Sequence, residues 1–229
     1  MELSMKKNHV LWLCFLLLNI CLTMCNNPIK FVCTAALIPK EYESRKNQYI
    51  NSLTLLNKYN CDLYVIESIA NGPTFLDDYC KNVCYTHSNN TSILNRGINE
   101  AISMKIGLKY FNFEPGTMVI KFTGRYQLKS DEFIKFVAEH MDADVIARAW
   151  KDNDAYTALF AMKIEYFLDF LDNYIDYQKW ISYSASVFPT PFEIYFGSYI
   201  TKIKKEGAKI VYLEKLYDYM PIWAYPYRF

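Results

Sequence analysis

The sequence predicts an α/β fold, a mostly parallel sheet flanked by helices. Short apolar runs alternate with longer amphipathic segments, the pattern of strands separated by helices. Seven Gly and eight Pro in 229 residues are few for the many tight turns of an all-β sandwich. More than half of the residues are apolar, enough for one sizeable core and against general disorder.

The elements follow in order. Phe31 to Ile38 (FVCTAALI) is a strand-like run that Pro39 stops. Lys40 to Tyr59 places Tyr42, Tyr49, Leu53 and Leu56 at helical spacing. Asp62 to Ile69 is a second strand, broken by Asn71-Gly72-Pro73, and Thr74 is a good N-cap for a short helix through Tyr79. Asn82 to Thr86 is a third strand, followed by a polar loop from His87 to Thr91. Asn95 to Phe111 reads as a helix ended by Glu114-Pro115-Gly116, and Met118 to Phe122 as the fourth strand. Ser130 caps a helix to Met141, with Asp131 and Glu132 where the helix dipole favours acids. Asp144 to Ala149 is a fifth strand and Thr157 to Met162 a sixth. Helices at Glu165 to Tyr174 and Phe192 to Lys205 precede a last strand, Lys209 to Leu213.

Residues 1–25 differ from the rest. Lys6 and Lys7 precede an apolar run from Val10 to Met24, and polar Asn26-Asn27 follows. That is the layout of a secretory signal, with Thr23 and Cys25 small enough for the −3 and −1 sites of a cleavage after Cys25. The run is short for a membrane span, which needs about 20 residues. Two domains are therefore expected: 1–25 as signal peptide or uncleaved signal anchor, and 26–229 as the folded unit. The location is the secretory pathway, with membrane attachment only if the anchor is retained. Without the leader, cations and anions balance, so nucleic-acid binding by bulk charge is not expected. Cys33, Cys61, Cys80 and Cys84 remain, as two disulfides or as buried thiols. Asn89-Asn90-Thr91-Ser92 holds two overlapping glycosylation sequons, meaningful only in a eukaryotic secretory host.

In parallel α/β sheets ligands sit beyond the carboxyl ends of the strands. That rule selects the loops Thr34–Lys40, Glu67–Gly72, His87–Gly97, Thr123–Tyr126 and Arg148–Asp154. Arg45, Glu67, Arg96, Lys121, Arg125 and Arg148 lie at or near these ends. Several cations at one sheet edge favour an anionic ligand such as a diphosphate, because arginine grips phosphate through two parallel hydrogen bonds. For any single one of them, ion pairs with Glu43, Glu67 and Asp131 across a solvated rim are the better explanation. Lys121 differs: it lies within a strand, and a buried Lys must be paired or functional. Asn95-Arg96-Gly97 opens a helix, where free backbone N–H groups suit a phosphate. The sequence has no Gly-rich dinucleotide loop, no phosphate-cradling Gly-Lys-Ser and no Gly-x-Ser-x-Gly elbow.

The order FVCTAALIP, helix, DLYVIES, short helix, NVCYTHSNN, NRGINEA, VIKFTGRYQL resembles the nucleotide-diphospho-sugar transferases of GT-A type. More narrowly, it is similar to relatives with a Lys-x-x-Gly-Arg-Tyr strand end. The likeness runs over about Phe31 to Leu213, and its specific part is Asn95 to Leu128. It implies a single Rossmann-like GT-A domain with a sugar nucleotide across the first half of the sheet. In that family the fourth strand ordinarily ends in Asp-x-Asp, which holds a divalent metal on the diphosphate. Here Thr123-Gly124-Arg125 stands instead. No cofactor is counted on, since Mg²⁺ or Mn²⁺ needs oxygen ligands that a Gly and an Arg cannot supply.

The resemblance implies a glycosyltransferase that moves a sugar from a nucleotide-diphosphate sugar to a glycan or other hydroxyl acceptor. Arg125 with Lys121 would neutralise the leaving diphosphate, helped by Arg96, Gly97, Thr34 and Arg45. Gly124 would allow close backbone approach, Tyr126 would stack on a base or sugar, and Glu67 would take the ribose or base. Glu193, at the start of a late helix, is the expected proton acceptor, with Asp152 and Asp154 as fallbacks; it is equally an ordinary first-turn acid. The alternative is a non-catalytic secreted binding protein that keeps the fold.

Overall fold

The computed structural model describes residues 29–90, 96–149, 155–183, 191–215 and 218–220. The leader, Asn95, Asp152, Asp154 and the Thr91-Ser92 half of the sequons lie outside these residues. Seven strands form one sheet: β1 (Ile29–Ala35), β2 (Leu63–Glu67), β3 (Asn82–Tyr85), β4 (Met118–Thr123), β5 (Val145–Ala147), β6 (Leu159–Lys163) and β7 (Ile210–Tyr212). The described helices are α1 (Tyr42–Lys58), α2 (Arg96–Phe111), α3 (Glu132–Glu139), α4 (Ile164–Tyr183) and α5 (Phe192–Lys205), with short 3₁₀ turns at Pro39–Glu41 and Phe75–Asp78.

The strand order is β3-β2-β1-β4-β6-β5-β7. β1 pairs in parallel with β2 and β4, β2 with β3, and β5 with β7. β6 alone runs antiparallel, against β4 and β5. The connection from β5 to β6 is too short for the helical crossover that parallel neighbours need. Ala149 and Ala155 bridge antiparallel across it.

Strand periodicity divides the side chains between two cores. Phe31, Cys33, Ile120 and Phe122 face Tyr49, Leu53 and Leu56 of α1 and Phe133 and Val137 of α3. Val32, Ile66, Val119 and Phe160 face α2, α4 and α5. Much of the unusual aromatic content packs in this second core. Phe170 lies within 5.3 Å, centroid to centroid, of Phe192, Phe196 and Tyr199. Each such buried ring contributes about 1.5–3 kcal/mol. α4 runs nine residues beyond the expected Tyr174, and its buried face continues through Ile175 and Gln178. Thr74 caps its 3₁₀ turn as expected, accepting from Leu76 N while Asp77 returns to Thr74 N.

Cys33, Cys61, Cys80 and Cys84 are all free thiols, so neither disulfide forms. Burial pushes Cys61 and Cys80 up to about 11 and Cys33 further. These are inert packing residues rather than reactive ones.

Gly124 follows β4, and its N–H bonds to Thr34 O at 2.9 Å. A Cβ there would lie 2.4 Å from Cys33 Sγ and 3.0 Å from Thr34 O. The Gly is needed for close packing of β4 on β1. Among the described glycines only Gly72, Gly116 and Gly207 have positive φ, so the left-handed region is not the reason for Gly124. Gly124→Ala is expected to cost about 1–3 kcal/mol through overpacking. Adding Cys33→Ala should recover part of that in urea unfolding, whereas additive losses would refute the contact as the cause.

Candidate functional site

The parallel pairing brings the carboxyl ends of β1 to β4 to one edge. A cavity of about 650 Å³ opens there. Its walls come from four of the loops selected from the sequence: Thr34 to Pro39 after β1, Ser68 and Ile69 after β2, His87 and Asn89 after β3, and Thr123 and Arg125 after β4. α1 adds Arg45 and Tyr49, and the first turns of α2 add Arg96, Asn99, Glu100 and Ser103.

Local hydrogen bonds hold these walls. Tyr49 Oη accepts from Ala36 N at 2.8 Å and fixes the loop after β1. Asn99 is buried and pairs with both Asn90 N (3.1 Å) and Asn90 O (2.9 Å), which pins the loop after β3 to α2. Ser103 Oγ donates to Asn99 O and meets Ser88 Oγ at 2.7 Å. His87, in the left-handed region at φ 45°, reaches Ile69 O through Nδ1.

Three guanidiniums therefore converge on one cavity from three separate elements. Arg45 Nε donates to Glu41 at 2.7 Å. The Glu41 carboxyl is held below its usual range by Arg45 first, with Arg96 and Arg125 adding to it, so the fields of all three cations overlap at this rim. Arg125 donates to Tyr126 Oη at 3.2 Å and stacks on the same ring. Its Nε is buried without a hydrogen-bond partner among the described residues. Such a group is costly unless something fills the bond.

Of the other expected site residues, Thr34 lines the cavity and the rest lie outside its lining. Lys121 is 0% exposed beneath the floor. Its Nζ reaches Glu100 Oε1 at 2.7 Å, Thr157 O at 2.7 Å and Thr123 Oγ1 at 2.9 Å. An ammonium has three N–H donors, and all three are taken. Gly97 begins α2 beside Arg96, and Tyr126 packs its ring against the α1-side core. Glu193, on the exposed first turn of α5, accepts from Oγ1 of Thr157 at 3.2 Å, the residue whose carbonyl receives Lys121 Nζ, and is not in the lining. Arg148 reaches Glu214 O.

Glu67 is fully buried and does not line the cavity either. Its Oε1 accepts from Leu37 N (3.1 Å), Ile69 N (2.9 Å) and Ala70 N (3.0 Å), tying two wall loops together. Burial raises its pKa from 4.5, against these N–H bonds that pull it down. The folded state thus holds the proton better than the unfolded one. That advantage is complete below about pH 4.5 and is lost as pH rises through the raised folded value. Glu67→Gln keeps a three-bond acceptor oxygen without charge. Its stability in urea is expected to vary less with pH than that of the wild type above about pH 4.5. Parallel pH curves would overturn this account.

Sequence reasoning missed Glu100, Asn99, Ser103 and Tyr49. A signal existed for Glu100, which follows Arg96 by four residues and so shares its helix face. Among the described residues no group of three or more His, Cys, Asp or Glu has the arrangement of a metal site. No helix of the described residues is long and apolar enough to cross a membrane.

No known protein family and no curated protein matches the sequence. Among solved structures, the chain is similar to the apo-form glycosyltransferase GlyE of Streptococcus pneumoniae TIGR4, with a TM-score of 0.46 and 9% sequence identity. The match covers 80% of this chain and 44% of that one, so the chain spans less than half the length of this neighbour.

Proposed function

We propose that this chain is a glycosyltransferase that binds a nucleotide-diphosphate sugar in the cavity at the ends of β1 to β4. The observation that carries this reading is the convergence of Arg45, Arg96 and Arg125 on one pocket at the carboxyl edge of a parallel sheet. A diphosphate answers three guanidiniums better than a single carboxylate does. In the transfer, the acceptor hydroxyl oxygen bonds to the anomeric carbon while the bond from that carbon to the diphosphate oxygen breaks. The leaving diphosphate takes the electron pair, and the guanidiniums stabilise its charge. The hydroxyl proton goes to a base, a role we assign to Glu193 on the first turn of α5. The acceptor is a glycan or another hydroxyl compound, and the setting is the secretory pathway.

A second reading, a non-catalytic binding protein, draws on Thr123-Gly124-Arg125 standing where the related transferases carry an acidic pair. Calorimetry with UDP-glucose and GDP-mannose, followed by donor turnover with and without chelator, separates the two. Binding with chelator-resistant turnover supports transfer without a resident metal. Binding without turnover favours the second reading, and absence of binding to either nucleotide sugar overturns the transfer reading.

A further inference from the structure

We propose that Glu100 is the group that recognises the hydroxyls of the transferred sugar, and that Lys121 is a positioning residue that acts through it. The inference rests on the diphosphate reading of the cavity and names the second half of the ligand.

Lys121 and Glu100 form an unequal pair. The Lys121 side chain is 1% exposed and that of Glu100 is 34% exposed. With its three donors spent on Glu100, Thr157 and Thr123, Lys121 has nothing left to offer a phosphate. Its ammonium instead fixes the direction of the Glu100 carboxylate. Thr34 Oγ1 approaches the same Oε1 at 3.4 Å from β1. Both fall on Oε1, and no hydrogen bond or ion pair from the described residues falls on Oε2. Glu100 lines the cavity. The result is a rigid carboxylate, one oxygen anchored, in the wall of an otherwise cationic pocket.

A carboxylate repels phosphate and accepts hydrogen bonds from hydroxyls. Its buried partner explains how it can stand among sites for an anion. A ligand that satisfies both kinds of wall carries a diphosphate joined to a polyhydroxyl group. A nucleoside diphosphate lacking the sugar would satisfy only the arginines.

The test compares UDP with UDP-glucose, and GDP with GDP-mannose, by calorimetry on wild type and Glu100→Gln. The glutamine keeps an oxygen for Lys121 but puts an amide donor in place of the free acceptor. Affinity for the preferred nucleotide sugar is expected to fall roughly tenfold to a hundredfold. Affinity for the bare diphosphate should stay level or rise, which also proves the variant folded. Lys121→Met/Glu100→Met, which removes both charges at similar volume, should show the same selective loss. Equal losses for both ligands, or none for either, would overturn the role of Glu100 while leaving the diphosphate site standing. So would Mg²⁺ tightening diphosphate binding to wild type alone, which would make Glu100 a metal ligand. If wild type binds none of the four probes, the diphosphate reading itself fails and this one with it.

Discussion

Arg125→Ala is expected to weaken nucleoside diphosphate binding by about one to two orders of magnitude. The reason lies in how the three arginines are committed. Arg45 already gives Nε to Glu41. Arg125 has a neutral partner in Tyr126 and a buried Nε with none among the described residues. Its charge meets no carboxylate among the described residues, and charge-assisted, bidentate bonds are the strong ones. Arg125→Lys keeps the charge and loses the fork, so it should recover only part of the affinity. Glu41→Ala removes the competing carboxylate and should tighten binding slightly. The variant's fold should survive, since loss of the Arg125–Tyr126 stacking costs only about 0.5–1 kcal/mol. Calorimetry with UDP and GDP alongside thermal unfolding checks all three. Unchanged affinity in Arg125→Ala would remove the diphosphate from this cavity.

Lys121→Ala is expected to have the largest effect on stability, a loss of about 3–5 kcal/mol. The variant strands the Glu100 carboxylate and leaves the Thr157 carbonyl, in a buried residue, without its donor. Glu100 is one-third exposed, so water softens its share and the lower end of that range is expected. Against a total of about 5–15 kcal/mol for a typical domain, this is a large fraction. For a chain of this size it corresponds to a drop in Tm of roughly 6–20 °C. Removing both charges, in Lys121→Met/Glu100→Met, should restore most of it, because well-packed apolar residues often replace a buried ion pair at little cost. A double variant as unstable as Lys121→Ala would show that the pair itself is not the source of the loss. This stability profile differs from that of Arg125, and the contrast separates a residue proposed to meet the ligand from one that holds the wall.

The stretch VIKFTGRYQL shows how much of this was legible in advance. Its apolar alternation marked β4, and the burial rules marked Lys121 as a residue that needs a partner. They did not say which partner. Glu100 lies 21 positions earlier on a different element, and the two meet because β4 and α2 share one face of the sheet. Gly124 looked like a place for backbone to approach a ligand; its reason is Cys33 on the neighbouring strand. Glu67 looked like a ligand contact because it ends β2, yet the wall loops fold over it and take its oxygen for their own N–H groups.

By itself the sequence determined the strands and helices, the sheet edge where ligands gather, and the cationic character of that edge. Those properties depend on side-chain alternation and residue type, which are local. Only the tertiary structure decided that Arg45, Arg96 and Arg125 share one cavity, that Lys121 is spent on Glu100, and that the four cysteines are free. Those properties depend on strand order and register, which bring together residues whose separation along the chain carries no signal.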